Sequence, residues 1–515
     1  MSTQADVCLI LEGTYPYVSG GVSSWTHELI KTHDHLTFAL ISLVSQNAPR
    51  KILYDIPSNV IDLRTLELQD TPEGEELSES DERTLCERIE PYLFKLQSQA
   101  TLGDLEELII LLKPWQGRLG KKTLLESKAV WGLLLRMYQA TMPSTSFLDY
   151  FWSWRGLFGS LFTLLLADLP DAKIYHSLCT GYAGLLLARA HIETKRPCLV
   201  TEHGIYTNER RIEIASADWI DDPKGFNLSI LNQDETRDIK DLWTDTFGNY
   251  SRLCYEACES IITLFKGNQE FQKMDGAHHE KMCIIPNGID YQHFSSTQKK
   301  PHPPTVALIG RVVPIKDIKT YIKSVELLKQ KLPNLRAFII GPEKEDPDYS
   351  KECRDLIDHL RLNETIIYTG SVNILSYLGE IDVLILTSLS EAQPLVILEA
   401  GAAGIPSVAT DVGACREMIL GTGQGVDGHE FGGAIVDLGS PAAVAQAAFK
   451  LLDDPYFYDL CSKAIGERVR VHYRKEDQRN SYAEIYNRLI RRGEKTSKPA
   501  NDMAPPELSN NSNLR

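Results

Sequence analysis

The sequence predicts an α/β protein with two doubly wound parallel sheets and a cleft between them. Three observations predict it. Short apolar, strand-like runs alternate with helical patterns along most of the 515 residues, which is the rhythm of parallel sheets with crossover helices. A polar, basic, proline-bearing stretch, SSTQKKPHPP at 295–304, reads as a linker, and the alternation restarts cleanly behind it at TVALIGRVVPIKD. The length calls for more than one domain, at about 100–200 residues each.

Taken in order, residues 6–11 read as a buried strand, and a helical pattern starts at Val22. Further strands are expected at 37–44, 172–176, 198–202, 260–264 and 282–286, then at 305–309, 337–340, 365–368, 383–387 and 407–410. Residues 64–170 break the rhythm: they open with the acidic run DTPEGEELSESDE and turn mostly helical, as an insertion would. The expected domains are therefore 1–294, with the insertion at about 64–170, and 305–472, joined by the linker 295–304. The tail from 494 to 515 has almost no large apolar residue and is expected to be disordered.

Composition excludes several classes. The net charge of −16 argues against a general nucleic-acid binder, although a small basic pocket for an anionic ligand stays compatible with it. Ten cysteines lie scattered without a C-x-x-C pair, and Cys254 and Cys258 have no His or Cys partners at zinc spacing, so they read as reduced core residues. The start MSTQADVCLI has no basic n-region or cleavage site. The longest apolar stretch, 147–170, is interrupted by Asp149, Arg155 and Asp168, which suits a buried helix better than a span of about 20 residues. A soluble cytoplasmic chain is expected.

Ligands of doubly wound sheets bind just beyond the carboxyl ends of strands, so motifs there carry the functional reading. The first is Gly20-Gly21 in EGTYPYVSGGVSSW, between a strand and a helix. Such a pair serves either a turn that needs positive φ or a backbone that something approaches closely at a helix N-terminus. The dinucleotide pattern G-x-G-x-x-G is absent.

The second motif is Gly310-Arg311, directly after a strand, with Lys316 five residues on. Arg offers a planar fork to phosphate oxygens and Lys a mobile point charge. Both stand at a helix start, against the dipole, and that conflict favours a function. The third is TSLSEAQPLVILEAGAAGIPSVATDVG. Glu391 lies in its loop, Pro394 opens a helix, and Glu399 follows among Ile397, Leu398 and Ala400, where a carboxylate must be paired or bind something, such as ribose hydroxyls. The small residues 400–404 are expected to pack that helix on the sheet.

Arg311, Lys316 and the E-x7-E spacing in EAQPLVILE resemble the donor site of retaining glycosyltransferases of family 4, which have the GT-B fold. The resemblance covers about residues 303–470. It implies that Arg311 and Lys316, beside Gly310, hold the diphosphate of a nucleotide sugar. The amides of Leu395 and Val396 add donors, Glu399 binds the ribose and Glu391 faces the sugar. It also implies that the last helices, 473–493, return to the first domain, and that the Gly20-Gly21 loop points into the cleft. LILEGTYPYVSGGVSSWTHELI, YHSLCTGYAGLLLA and VTEHGIYTNERRIEI are in turn similar to the Pel exopolysaccharide glycosyltransferases of the PelF type. That family carries a helical N-terminal region, and its cleft histidine corresponds to His203 in TEHG.

The resemblance implies transfer of a hexose or N-acetylhexosamine from a UDP-sugar to a growing polysaccharide. Glu391, His203, Arg311 and Lys316 are the implied catalytic set. No metal or other cofactor is expected, since no D-x-D motif stands in context and cations can stabilise the leaving diphosphate. The implied partners are the UDP-sugar, a polysaccharide acceptor and subunits of an inner-membrane Pel synthase, through which the chain would sit peripherally at that membrane.

Two departures qualify this. Ser19 stands where some relatives carry a Lys before the glycine pair, which leaves phosphate neutralisation to Arg311 and Lys316. Ala392-Gln393-Pro394 replaces the Phe-Gly of many relatives. A GT-B epimerase acting on UDP-N-acetylglucosamine, a sucrose- or glycogen-synthase-like enzyme and a non-catalytic UDP-binding subunit stay open as alternatives. The identity of the sugar stays open as well.

Overall fold

A computed structural model describes residues 4–215, 237–421 and 431–496. Most of the tail expected to be disordered lies outside the described residues. The first sheet contains β1 (Ala5–Glu12), β2 (Phe38–Val44), β3 (Val60–Glu67), β4 (Ala172–Ser177), β5 (Cys198–Glu202), β6 (Ser260–Thr263) and β7 (Met282–Ile284), in the order 3-2-1-4-5-6-7. The second contains β8 (Thr305–Ile309), β9 (Arg336–Ile340), β10 (Ile366–Gly370), β11 (Val383–Leu386), β12 (Ser407–Thr410) and β13 (Gly433–Val436), in the order 10-9-8-11-12-13. The order reverses between β1 and β4 and again between β8 and β11. Each sheet thus has one switch point where connections leave in opposite directions and open a crevice.

The chain divides into two compact units. One takes the described residues up to Val200, those within 214–259 and those from Ala483 on; the other takes Thr201–Glu213 and those within 260–482.

In the first unit, Val7 to Leu11 of β1 are all fully buried, the continuous apolar run of a strand covered on both faces. β3 is different, an edge strand in which Ile61 is exposed and every other residue is half-buried. It occupies positions where the sequence pattern placed the start of the helical insertion, so the helical run begins only at Glu79–Leu96. Helices Leu102–Leu112, Lys128–Thr141 and Phe147–Leu166 follow. All four carry a Ser or Thr cap three residues before an accepted backbone N–H: Ser78 for Asp81, Thr101 for Asp104, Ser127 for Val130 and Ser146 for Asp149. Each cap stabilises its helix by about 1 kcal/mol. From Ala483 the last helix, Lys475–Thr496, belongs to this unit. Its buried Tyr486 hydroxyl lies 2.8 Å from His176 Nδ1, and the Tyr486 ring meets His33 edge-on.

In the second unit, alternate residues of the strands enter separate cores. Val306, Leu308, Ile339, Val383 and Ile385 face one side, and Ala307, Phe338, Ile340, Leu384 and Leu386 the other. Burying each large aliphatic side chain contributes about 1.5–3 kcal/mol, so this sheet is a rigid platform for the loops at its edge. The 295–304 stretch is pinned to this platform. Lys299 pairs with Asp382 at 3.3 Å, Lys300 pairs with Glu380 at 3.1 Å, and the Lys300 N–H donates to the Gly379 carbonyl.

No disulfide joins the ten cysteines. No described helix is long and apolar enough to cross a membrane.

Candidate functional site

The richest chemistry lies at the switch point of the second sheet. β8 runs into Gly310-Arg311, and β9 runs into Gly341, whose φ is +150°. A Cβ at Gly341 would overlap the Gly310 carbonyl, so only glycine lets the two loops lie this close. Lys316 ends a short 3-10 turn, Pro314–Lys316. Asp317 then takes a left-handed φ of 44° and caps helix Ile318–Lys331 by accepting the Thr320 N–H at 3.2 Å. Beyond β11 the Thr387 hydroxyl lies 3.0 Å from the Lys316 carbonyl and 2.9 Å from that of Asp317, and the Leu389 N–H donates to the Ile315 carbonyl. The loops after β8 and β11 are thereby knitted together across the crevice.

That knitting sets Lys316 beside Glu391, and their side chains form a mostly buried ion pair. Arg311 is more open and pairs with Glu345. The Glu391 loop is backed by Gly413, at φ +52°, where a Cβ would overlap the carbonyls of Glu391 and Ala392. The Ala414 N–H donates to the Ala392 carbonyl at 2.8 Å. Pro394 opens helix Leu395–Ala402 without a side-chain cap, so the first amides, those of Leu395 and Val396, head the helix.

Glu399 sits on the same helix. Among the described residues its carboxylate has no hydrogen-bond or ion-pair partner, and burial raises its pKa above the usual range. An unpaired, desolvated carboxylate is costly. Such a cost persists where a ligand hydroxyl or a second function repays it. The small residues expected to seat this helix on the sheet do something else at Gly401. A Cβ there would come within 2.7 Å of Ile465 Cγ1, so Gly401 admits helix Pro455–His472 while Ile397 and Leu398 face the core.

In the first unit, β1 ends at Glu12, which accepts the Ala183 N–H at 3.0 Å at the start of helix Tyr182–Thr194. The following loop is anchored by its tyrosines. Tyr15 is fully buried with its ring 5.0 Å from that of Tyr54, and the Tyr17 hydroxyl lies 2.6 Å from Thr65 Oγ1. Gly13 takes the positive φ of this turn, at 62°. Gly20 is extended, at φ 170°, and Gly21 begins helix Gly21–Thr32. Among the described residues, no atom beyond the immediate chain neighbours and the helix's own backbone lies within 4 Å of where a Cβ at either position would stand. Neither conformation nor packing requires glycine there; the pair leaves open space.

His203 follows β5 in the other unit and is half-buried. Desolvation lowers its pKa to about 4, so the ring is neutral near pH 7. It can accept or donate a hydrogen bond but supplies no charge.

Thus Gly310, Arg311, Lys316, Glu391, Leu395, Val396 and Glu399 gather on the loops and helix at one edge of one sheet. Gly20 and Gly21 belong to the other unit. Sequence reasoning missed Gly341, Gly413 and Thr387, which shape the loops. TDVG and TSLSE hold glycine and threonine just past strands, the one signal available for Gly413 and Thr387.

Two parallel-sheet Rossmann-like domains with this edge chemistry define a GT-B fold. Solved structures agree. A sucrose-phosphate synthase from Thermosynechococcus elongatus superposes with a TM-score of 0.56 at 14% identity, covering 95% of this chain and 100% of that one. Anabaena Alr3699/HepE in complex with UDP gives a TM-score of 0.55 at 13% identity, covering 94% and 100%. Residues 5–280, more than half of the chain, match the family described as Domain of unknown function (DUF3492), and the chain belongs to that family. Residues 291–468 match Glycosyl transferases group 1.

Among curated relatives, a D-inositol 3-phosphate glycosyltransferase of Pseudarthrobacter chlorophenolicus is 30% identical over 196 residues, 35% of this chain and 44% of its own length. A glycogen synthase of Mycobacterium tuberculosis is 26% identical over 244 residues, 47% of this chain and 56% of its own length. The chain spans about half the length of the curated relatives it matches.

Proposed function

We propose that this protein is a retaining glycosyltransferase that moves a hexose or N-acetylhexosamine from a UDP-sugar to a growing exopolysaccharide, in Pel-type biosynthesis. The observation that carries the proposal is the buried Lys316–Glu391 pair at the second sheet's switch point, with the unpartnered carboxylate of Glu399 on the following helix. The glycosyl transferases group 1 match and the UDP complex of a structural neighbour support it.

In this reading Arg311 and Lys316 leave their carboxylate partners for the diphosphate, Glu399 takes the ribose hydroxyls, and Glu391, released from Lys316, turns to the sugar. The C1–O bond to phosphate breaks toward an oxocarbenium-like state, and charge grows on the diphosphate where both cations and the amides of Leu395 and Val396 stand. The acceptor oxygen bonds to C1 from the same face, and its proton passes to the leaving phosphate oxygen, releasing UDP. His203, neutral, hydrogen-bonds the sugar. Gly20 and Gly21, in the first unit, are proposed donor-binding positions because of the open space beside them. No metal is needed in this scheme, because protein cations neutralise the leaving group. Pel synthase subunits are the proposed partners that would hold a cytoplasmic chain at the inner membrane.

The test is calorimetric titration with UDP, followed by assays of UDP release from UDP-glucose, UDP-N-acetylglucosamine and UDP-N-acetylgalactosamine, with and without oligosaccharide acceptor. Acceptor-dependent UDP release is expected. Interconversion of UDP-sugars without acceptor would identify an epimerase instead, and UDP binding without turnover a non-catalytic subunit.

A further inference from the structure

The Glu391 loop is held by a contact that the E-x7-E pattern does not contain. Gln393, two residues past Glu391 and two before Leu395, is 7% exposed. Its Oε1 accepts the backbone N–H of Asn287 at 2.7 Å, and its Nε2 donates to the carbonyl of the same residue at 3.4 Å. A side-chain amide bonded to both backbone groups of one residue fixes distance and rotation together, as a strand neighbour would.

Asn287 is itself clamped. Its Oδ1 accepts from Gln478 Nε2 at 3.3 Å, and Gln478 Oε1 accepts the Gly288 N–H at 3.1 Å. The Ile289 N–H donates to the Tyr473 carbonyl at 2.9 Å, and the Lys475 N–H to that of Ile289 at 3.0 Å. A Cβ on Gly288 would overlap the Arg474 carbonyl. The segment leaving β7 and the segment entering the last helix are thus fastened side by side, and Gln393 ties the Glu391 loop to both. All of these residues belong to the second unit.

We infer that Gln393 is a positioning residue for glycosyl transfer: its amide, locked on Asn287, holds Glu391 and the head of helix Leu395–Ala402 in register for the donor sugar. The inference rests on the proposed function. It separates two tasks in one loop. Arg311, Lys316 and Glu399 hold the nucleotide without help from Gln393, whereas the placement of Glu391 against the sugar depends on it.

The experiment compares wild type with Gln393→Met, which keeps length and loses both bonds, and with Gln393→Glu, which keeps the acceptor to the Asn287 N–H. UDP affinity by calorimetry should stay within about threefold for all three proteins, while kcat for UDP release should fall about tenfold or more in Gln393→Met and less in Gln393→Glu. KM for the UDP-sugar should move little. Unchanged kcat in Gln393→Met overturns the inference. So does a proportional loss of kcat, UDP affinity and melting temperature in both variants, which would make Gln393 a packing residue. A wild-type protein that binds no UDP overturns the underlying function, and the control titration reveals it before any variant is compared.

Discussion

The loops after β1 and β8 occupy equivalent positions in two doubly wound sheets, yet they are held in opposite ways. After β8, charge is satisfied at each step: Lys316 rests on Glu391, Arg311 on Glu345, and Thr387 ties the turn down from the neighbouring strand. After β1, two tyrosines anchor the base of the loop, and the far end, Gly20-Gly21, has no described residue beyond its local backbone within Cβ reach. In the proposed function one loop exchanges its internal partners for an anion, while the other keeps open space at its far end. On that proposal, charge matters in one unit and space in the other, and different substitutions break the two.

The largest effect is expected at the cations. Lys316→Ala removes a proposed phosphate contact and leaves Glu391 mostly buried without its partner, while Arg311→Ala removes a proposed contact that is more exposed. Charge-assisted bonds contribute about 1.5–3 kcal/mol each, so UDP should weaken about tenfold or more, with Lys316→Ala the worse and uridine nearly unaffected. Equal losses for UDP and uridine in calorimetry would mean that the cations are structural, and the contrast between the loops would collapse.

Next comes the space. Gly21→Val places a branched side chain where, among the described residues, nothing beyond its own helix and chain neighbours stands and where the backbone is helical, so the melting temperature should hold. UDP affinity should stay within about threefold while turnover falls about tenfold or more. A variant with normal turnover would show the emptiness at Gly20-Gly21 to be incidental.

Glu399→Gln should weaken UDP about tenfold, as expected for loss of a charged hydrogen-bond acceptor. The ligand-free melting temperature should stay level or rise, because a desolvated charge is removed. A lowered melting temperature with unchanged UDP affinity would assign Glu399 to packing.

The smallest effect concerns His203. Its folded pKa of about 4 lies below the ordinary 6.5, so between those values the unfolded chain binds the proton and the folded chain does not. Stability should therefore decline as pH falls from about 6.5 toward 4, and no further on this account below that. Chemical denaturation of wild type and His203→Gln at pH 7, 6 and 5 measures it. Parallel pH dependence in the two proteins would show the ring to be solvated in the folded state.

Much of this was legible in sequence because strands buried on both faces must be continuously apolar. β1, β2, β8 and β11 were readable for that reason, to within a residue or so. β3 was not, since Asp62, Arg64, Thr65 and Glu67 interrupt its apolar residues. β13, four residues beginning at Gly433 with φ +148°, was too short to announce itself. Arg311, Lys316, Glu391 and Glu399 stood out because charge beside apolar neighbours, at fixed offsets from a strand, is locally visible.

Other features depend on what lies opposite in space. Gly401 was expected to face the sheet and instead faces helix Pro455–His472, because a helix presents one side to each neighbour and sequence does not say which neighbour arrives. In sequence Gln393 reads as a substitution within a motif; its partner Asn287 stands 106 residues earlier. By itself, the sequence determined the two-sheet plan and the charged residues at one strand edge, because periodicity and local charge are properties of neighbouring positions. Tertiary structure alone decided which carboxylate meets which cation, which glycine is crowded and which stands in empty space, because those depend on backbone atoms brought together from distant parts of the chain.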